Sequence, residues 1–389
     1  MTMTPRHDTE AVALARQLAV DFAGRADEAD KLGRLPAEDV AALQASGYLS
    51  LSVPQTYGGQ GLSLRECVAA QIELAQGSGA TALVAGMPLH IFGHMAEVRS
   101  WPEEKFEWLS RIAVNGGLIN SAASEPELGS PSRGGLPHTC AEPTPAGDGW
   151  LINGHKTWTT GGKHLSHILV QLRIEDEPAV IVVPQETPGV SWVETWSDSL
   201  SLRASDSHDV YFNNVIVPSD HLLLRGRSEK ERPPASAWFP MIMSAVYLGV
   251  ALAARNALIA FALERVPTSL GQPITTLPKI QRQIGEIDLA LQAATALLFE
   301  VAGQWQGDEA QRSKLYPRIA AAKYQVTEAA AFATEQALRV AGGTSITKSL
   351  PLERHFRDVR AGSMQPPSGD TALEIVGRQA IEQLKNGRA

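Results

Sequence analysis

The spacing of apolar residues changes twice along this chain, and those two changes limit the fold more than any other feature. From residue 8 to about 116 they recur at helical intervals, with Ala11, Leu14, Leu18 and Phe22 on one face of a first helix. Pro36 opens a second helix carrying Val40 and Leu43. Ser63 followed by Glu66 forms a capping box before a third, after a loop punctuated by Gly58, Gly59 and Gly61. From 117 to about 222 the pattern turns into short β-rich runs at 150–152, 168–170, 180–183, 190–193 and 210–212. Asn153-Gly154, Pro188-Gly189 and Asn213-Asn214 read as turns between them. From 235 onward helical spacing returns. Alanine-rich segments at 244–263, 284–303 and 318–340 are long enough for a four-helix bundle, and Gly342-Gly343 ends the last.

The expected architecture is therefore mainly α with a central β domain: a helical unit over 1–116, a small antiparallel sheet or barrel over 117–232, and a bundle over 233–389, with Arg232-Pro233-Pro234 as linker. A length of 389 residues agrees, since single cores stop growing at about 250–300 residues. With 34 Lys and Arg against 42 Asp and Glu, the net charge of −8 gives no basis for nucleic-acid binding and opposes an anionic membrane. Cys67 and Cys140 form neither a disulfide framework nor a CxxC metal pair. The opening residues lack the apolar core of a signal peptide. The longest apolar stretch, 241–263, is interrupted by Arg255 and Asn256 and reads as a buried helix, so the expected location is cytoplasmic.

The central zone holds Ser124-Glu125-Pro126-Glu127-Leu128-Gly129-Ser130, then Trp150-Leu151-Ile152-Asn153-Gly154-His155-Lys156-Thr157-Trp158-Thr159-Thr160-Gly161-Gly162. Together these resemble the acyl-CoA dehydrogenase family, whose middle domain reads T-E-P-x-x-G-S and then L-N-G-x-K-x-W-I-T-N. Tyr57-Gly58-Gly59-Gln60-Gly61-Leu62 resembles that family's N-terminal loop, and Arg339-Val340-Ala341-Gly342-Gly343 with Arg357-Asp358 its C-terminal elements. The resemblance implies the acyl-CoA dehydrogenase fold and FAD between sheet and bundle. A flavin ring is flat, apolar on its faces and hydrogen-bonding along an edge, which suits a tryptophan cover and hydroxyl donors. The resemblance gives those roles to Trp158, Thr160, Ser124 and Ser130, with Gly129 permitting close approach. It further implies a homodimer or homotetramer in which a neighbouring subunit reaches FAD through an arginine and a Q-x-x-G-G segment. Arg339 replaces the glutamine, and Gly342 and Gly343 keep the backbone open. Arg265 stands two residues further from Gly271 than the family spacing, leaving open a phosphate contact or a plain helix C-terminal arginine.

The family's general base is missing. Gln365-Pro366-Pro367-Ser368 occupies the Y-E-G-T segment, with Pro366 at the glutamate and Ser368 at the threonine, where the resemblance implies a cofactor contact. The alternative base position, early in the first bundle helix, falls near Phe239, and the arginine after it corresponds to Pro240. Losing a general base costs about 10²–10⁴-fold in rate. Three explanations remain open: another carboxylate, Asp370 or Glu374; a reaction without α-proton removal; or lost catalysis. Asp370 also reads as a helix N-cap. The reference reading is α,β-dehydrogenation of an acyl-CoA with electrons passed to an electron-transfer flavoprotein. The second is a monooxygenase using FAD or FMN reduced by a separate reductase, acting on a small aromatic or sulfur compound. There His90 and His94 become candidate proton-handling groups. Their i, i+4 spacing would suit a metal, but no third ligand is evident. A nitroalkane-oxidase-like enzyme using Asp370 and a non-catalytic flavin-binding scaffold complete the expectations.

Overall fold

The architecture is that of a computed structural model, which describes residues 9–128, 135–226, 236–306 and 309–387. Gly129, Ser130 and the Arg232-Pro233-Pro234 linker lie outside those residues.

Five helices come first: α1 (Glu10–Leu32), α2 (Ala37–Ser46), α3 (Leu64–Gly77), α4 (Gly79–Val98) and α5 (Glu103–Val114). Their ends are set locally. The Thr9 hydroxyl accepts from Val12 N–H, and α1 stops at Gly33 in the left-handed region. Both halves of the Ser63–Glu66 capping box form at the start of α3, and Ser78 caps α4. The buried face of α1 carries Ala11, Leu18 and Phe22, as their spacing requires.

The chain then builds β1 (Ile119–Ala122), β2 (Cys140–Pro143), β3 (Gly149–Thr159), β4 (His167–Ile174), β5 (Glu177–Pro184), β6 (Val190–Val193), β7 (His208–Pro218) and β8 (Leu222–Arg225). They form one sheet in the order β6-β7-β3-β2-β4-β5-β8, with β1 parallel to β4. All five β-rich runs of the sequence are strands. Pro188-Gly189 turns the chain between β5 and β6, with Gly189 at φ 93°. The other two turn readings are corrected: Asn153-Gly154 lies inside β3 and Asn213-Asn214 inside β7. The two strands pair antiparallel through an irregularity between Ile152 and Gly154, where Asn214 N–H donates to Asn153 Oδ1 at 2.8 Å. Turn-forming residues are spent here on a bulge that bends two long strands.

The last unit comprises α6 (Trp238–Glu264), α7 (Pro278–Gln304), α8 (Glu309–Ala341), the short α9 (Leu352–Asp358) and α10 (Gly369–Asn386). Helices α6, α7 and α8 pack on one another and α10 packs on α8. By length and composition α6 could cross a membrane. It packs against α3, α4, α7 and α8, and nearly every residue from Trp238 to Leu252 is buried, which makes it the core helix expected of the 241–263 stretch. α8 ends at Gly342, at φ 62°.

Candidate functional site

The end of β3 departs from regular strand where the motif residues stand. Trp158 has φ 57° and is 63% exposed, both unusual for tryptophan. A non-glycine residue in this conformation costs of order 1–3 kcal/mol and persists only when its surroundings hold it. They do so on both sides: Thr157 N–H donates to Ser124 O at 2.9 Å, and Gly161 N–H to Ser205 O at 3.0 Å. Thr160 is buried; Asn120 Nδ2 donates to its carbonyl at 2.9 Å, and its hydroxyl lies 2.8 Å from that of Ser207. Ser207 in turn lies 2.8 Å from the Ser205 hydroxyl. The hydroxyl of Thr159 is buried without a hydrogen-bond partner among the described residues.

Behind this edge, Lys156 and Glu125 form a buried ion pair at 2.7 Å. Glu125 also accepts from the backbone N–H groups of His138 and Thr139, pinning the loop after Ser124 to the sheet. Burial works against the Glu125 carboxylate, but its hydrogen bonds to Lys156, Thr139 and His138 outweigh it and hold its pKa down to about 2. The segment before β7 is tied to the bundle. Leu202 N–H donates to Asp358 Oδ1 at 2.9 Å, and the Ser201 hydroxyl donates to Asp358 O at 2.6 Å. Leu202 and Asp206 both take positive φ.

On the helical side, His90 meets Phe239 edge-on, with ring centroids 5.0 Å apart. The first turn of α6 thus places an aromatic ring, without a carboxylate, at the alternative base position. Burial, and then the charge of nearby His94, push the His90 pKa down to about 3, so it is neutral at pH 7. Pro367 is buried. The loop before it is held by Lys323, whose ammonium donates to Gly362 O at 2.6 Å and Gln365 O at 2.8 Å. Asp370 and Glu374 are exposed on α10. The N-cap of α10 is Ser368, not Asp370, and the Ser368 hydroxyl lies 3.0 Å from that of Thr371.

The structure thus gathers Ser124, Trp158 and Thr160 around the end of β3 and sets His90 beside Phe239. Arg265 is exposed at the C-terminus of α6, and Arg339 is exposed and paired with Glu335. Gly342 and Gly343 have open space around them. No hydrogen bond or ion pair among the described residues joins these four to Trp158. Asn120, Ser205 and Ser207 were missed from the sequence; they lie some 40–47 residues from Thr160, and no spacing rule connects them. No group of three or more possible metal-binding side chains occurs among the described residues. The donor set fits a flat heteroaromatic group: an uncovered indole, a row of hydroxyls, and one hydroxyl with no partner.

Three family models match in chain order: the acyl-CoA dehydrogenase N-terminal domain over residues 7–115, the middle domain over 120–215 and the C-terminal domain over 241–365. Over 369 residues the chain is 38% identical to YdbM of Bacillus subtilis strain 168, named as an acyl-CoA dehydrogenase, covering 94% of this chain and 95% of that one. Among solved structures, nitrososynthase from Micromonospora carbonacea var. africana matches with a TM-score of 0.83 at 25% identity, covering 98% of this chain and 99% of that one. Indole-bound TdsC from Paenibacillus sp. A11-2 matches with a TM-score of 0.83 at 25% identity, covering 97% and 98%.

Proposed function

Because the chain belongs to the acyl-CoA dehydrogenase family, we propose that it is a flavin-dependent oxidoreductase that works without a carboxylate base, as a monooxygenase on a small aromatic or heteroatom substrate. The observation that carries this reading is the chemistry of the two base positions. One holds Pro366, and the other holds Phe239 packed against a neutral His90. Removal of a weakly acidic α-proton needs a base near its own working pH, and neither position offers one. Oxygen transfer to an electron-rich ring, nitrogen or sulfur has no such step.

FAD or FMN would be held by Trp158 on a ring face, with Thr160 and Ser124 at its edge; the resemblance adds Gly129 and Ser130, which lie outside the described residues. Once reduced, the flavin would supply two electrons and reactivity toward oxygen. Neutral His90 keeps one ring N–H to donate and one nitrogen to accept, which suits orienting a polar group on the substrate. The partner of such an enzyme is a flavin reductase. The nitrososynthase name, which denotes oxidation at nitrogen, and the indole held by TdsC favour this substrate class. Exposed Leu373, Ile381 and Leu384 on α10, with Ile346 before α9, favour a homo-oligomer.

The second reading, acyl-CoA dehydrogenation with an electron-transfer flavoprotein as acceptor, is favoured by the name of YdbM. It needs another carboxylate as base, Asp370 or Glu374, both exposed on α10. Two experiments on the flavin-loaded protein separate them. With a reductase and labelled oxygen, label is expected in the products of an indole, amine and sulfide panel. Under anaerobic conditions, an acyl-CoA panel is expected to leave the flavin oxidised. Rapid anaerobic bleaching by any acyl-CoA would establish the second reading instead.

A further inference from the structure

Three buried hydroxyls stand in a row behind the motif. Thr160 Oγ1 lies 2.8 Å from Ser207 Oγ, and Ser207 Oγ lies 2.8 Å from Ser205 Oγ. Ser205 is fully buried and Ser207 nearly so. We propose that Ser207, backed by Ser205, is a positioning residue that fixes the Thr160 hydroxyl as a donor toward the flavin edge and so tunes the bound cofactor; this rests on the flavin reading above.

The argument is one of proton order. Each hydroxyl has one hydrogen and two lone pairs. A row of three can point its hydrogens either way, and what stands at its ends decides. The carboxylate between the two serines in sequence, Asp206, is engaged elsewhere: its Oδ1 accepts from Leu35 N–H, and its side chain faces His164 and His208 at 3.5 and 3.8 Å. At the outer end, a ring nitrogen or carbonyl would be an acceptor. It draws the Thr160 hydrogen outward, Ser207 then donates to Thr160, and Ser205 donates to Ser207. Each bond polarises the next, strengthening it by roughly 10–30%.

The row is also fixed in space. Gly161 N–H donates to Ser205 O at 3.0 Å, which clamps the turn after Thr160 onto the serine segment. Asp358 fixes that segment from the bundle through Leu202 and Ser201. Two residues in the left-handed region, Leu202 and Asp206, bracket Ser205. Strain of this kind is retained where a side chain must be aimed.

The test compares Ser207→Thr, which keeps the hydroxyl, with Ser207→Val, which has the same shape and lacks it. Ser207→Ala, Ser205→Ala, Thr160→Ala and the Thr160→Ala/Ser207→Val double variant complete the set. Flavin affinity by fluorescence, the visible absorption spectrum and the flavin midpoint potential are read on each loaded protein. Ser207→Val and Ser207→Ala are expected to bind flavin roughly five- to tenfold more weakly, the scale of one hydrogen bond, and to shift spectrum and potential. Ser207→Thr should match wild type, and Ser205→Ala should shift the same way by less. In the Thr160→Ala background Ser207→Val should change nothing further, because the row acts only through Thr160. A serine with a merely structural role would give additive losses and no spectral change. Ser207→Val, loaded and folded, that matches wild type in spectrum, potential and affinity overturns the proposal alone. Wild-type protein that takes up no flavin overturns the flavin reading, and this one with it.

Discussion

Trp158 is held in a conformation tryptophan rarely adopts and leaves most of its ring uncovered. An exposed aromatic in strained backbone contributes little to stability, and the flavin reading proposed above gives it a ligand role instead. Trp158→Ala should therefore leave the unfolding midpoint nearly unchanged while weakening flavin binding by about tenfold or more, on the scale of a ring-on-ring contact; Trp158→Phe should recover most of it. Fluorescence titration beside urea unfolding checks both halves. Lys156 and Glu125 should behave in the opposite way. Removing one member of a buried pair strands the other charge, so Lys156→Met should cost about 3–5 kcal/mol. The Glu125 carboxyl is held below its ordinary value of 4.5, at about 2. The folded state therefore binds this proton less readily than the unfolded chain. Its stabilisation is complete above pH 4.5 and is lost as pH falls toward 2, by about 3 kcal/mol. Acid unfolding of Glu125→Gln should lack that portion of the slope. Both residues stood in motifs visible in the sequence. Their pairing was not, because it depends on β3 running beside the loop after Ser124.

The elements most legible in the sequence are those whose signals are local. The helix starts at Pro36 and Ser63 follow from the proline itself and from Glu66 three residues after the serine, and the β-rich runs follow from β-branched and aromatic content. Asn-Gly and Asn-Asn misled because the same residues serve a turn or a bulge, and only the register of β3 on β7 distinguishes the two uses. The site was half legible for the same reason. Trp158 and Thr160 lie two residues apart at the end of β3, whereas the pairing of His90 with Phe239 depends on α4 crossing α6. That crossing rests on Gly93, where an added Cβ would fall 2.4 Å from the Trp238 ring. Trp238 Nε1 also donates to Glu97 Oε1 at 2.8 Å, so the ring has little freedom to yield. Gly93→Ala should cost about 1–3 kcal/mol by overpacking, or somewhat more. It should also move Phe239, the next residue, relative to His90. Urea unfolding measures the first effect. A change in substrate KM larger than the change in flavin affinity marks the second.

Across the whole molecule, the three units anticipated from the two changes of spacing meet at α9, a short helix that no sequence pattern marked as a junction. Arg357 bonds Asp30 of α1 at 2.5 and 3.0 Å and Glu353 at 2.8 Å, while Arg354 reaches Asp27 at 2.8 Å. Asp358 binds the serine segment of the β domain. The Arg357-Asp358 pair is thus a fastening between all three units. Burial pushes the Asp358 carboxyl up from 3.8 to about 6, with Arg354 and the Leu202 N–H only partly offsetting it. Here the folded state binds the proton more tightly than the unfolded chain. Stability attributable to this group is greatest below about pH 4 and declines as pH rises to 6, by about 3 kcal/mol. That window lies mostly above the one set by Glu125 and carries the opposite sign, so the two are separable. Asp358→Asn keeps an oxygen to accept from Leu202 N–H and carries no charge. Its stability relative to wild type should rise between pH 4 and 6 and then level off, in urea unfolding at a series of pH values. Asp358→Ala removes the acceptor as well, which frees the segment bearing Ser205 and Ser207. It should weaken flavin binding at every pH, whereas Asp358→Asn should not. Parallel pH curves for wild type and Asp358→Asn would show that the buried carboxylate exerts no such strain on the junction.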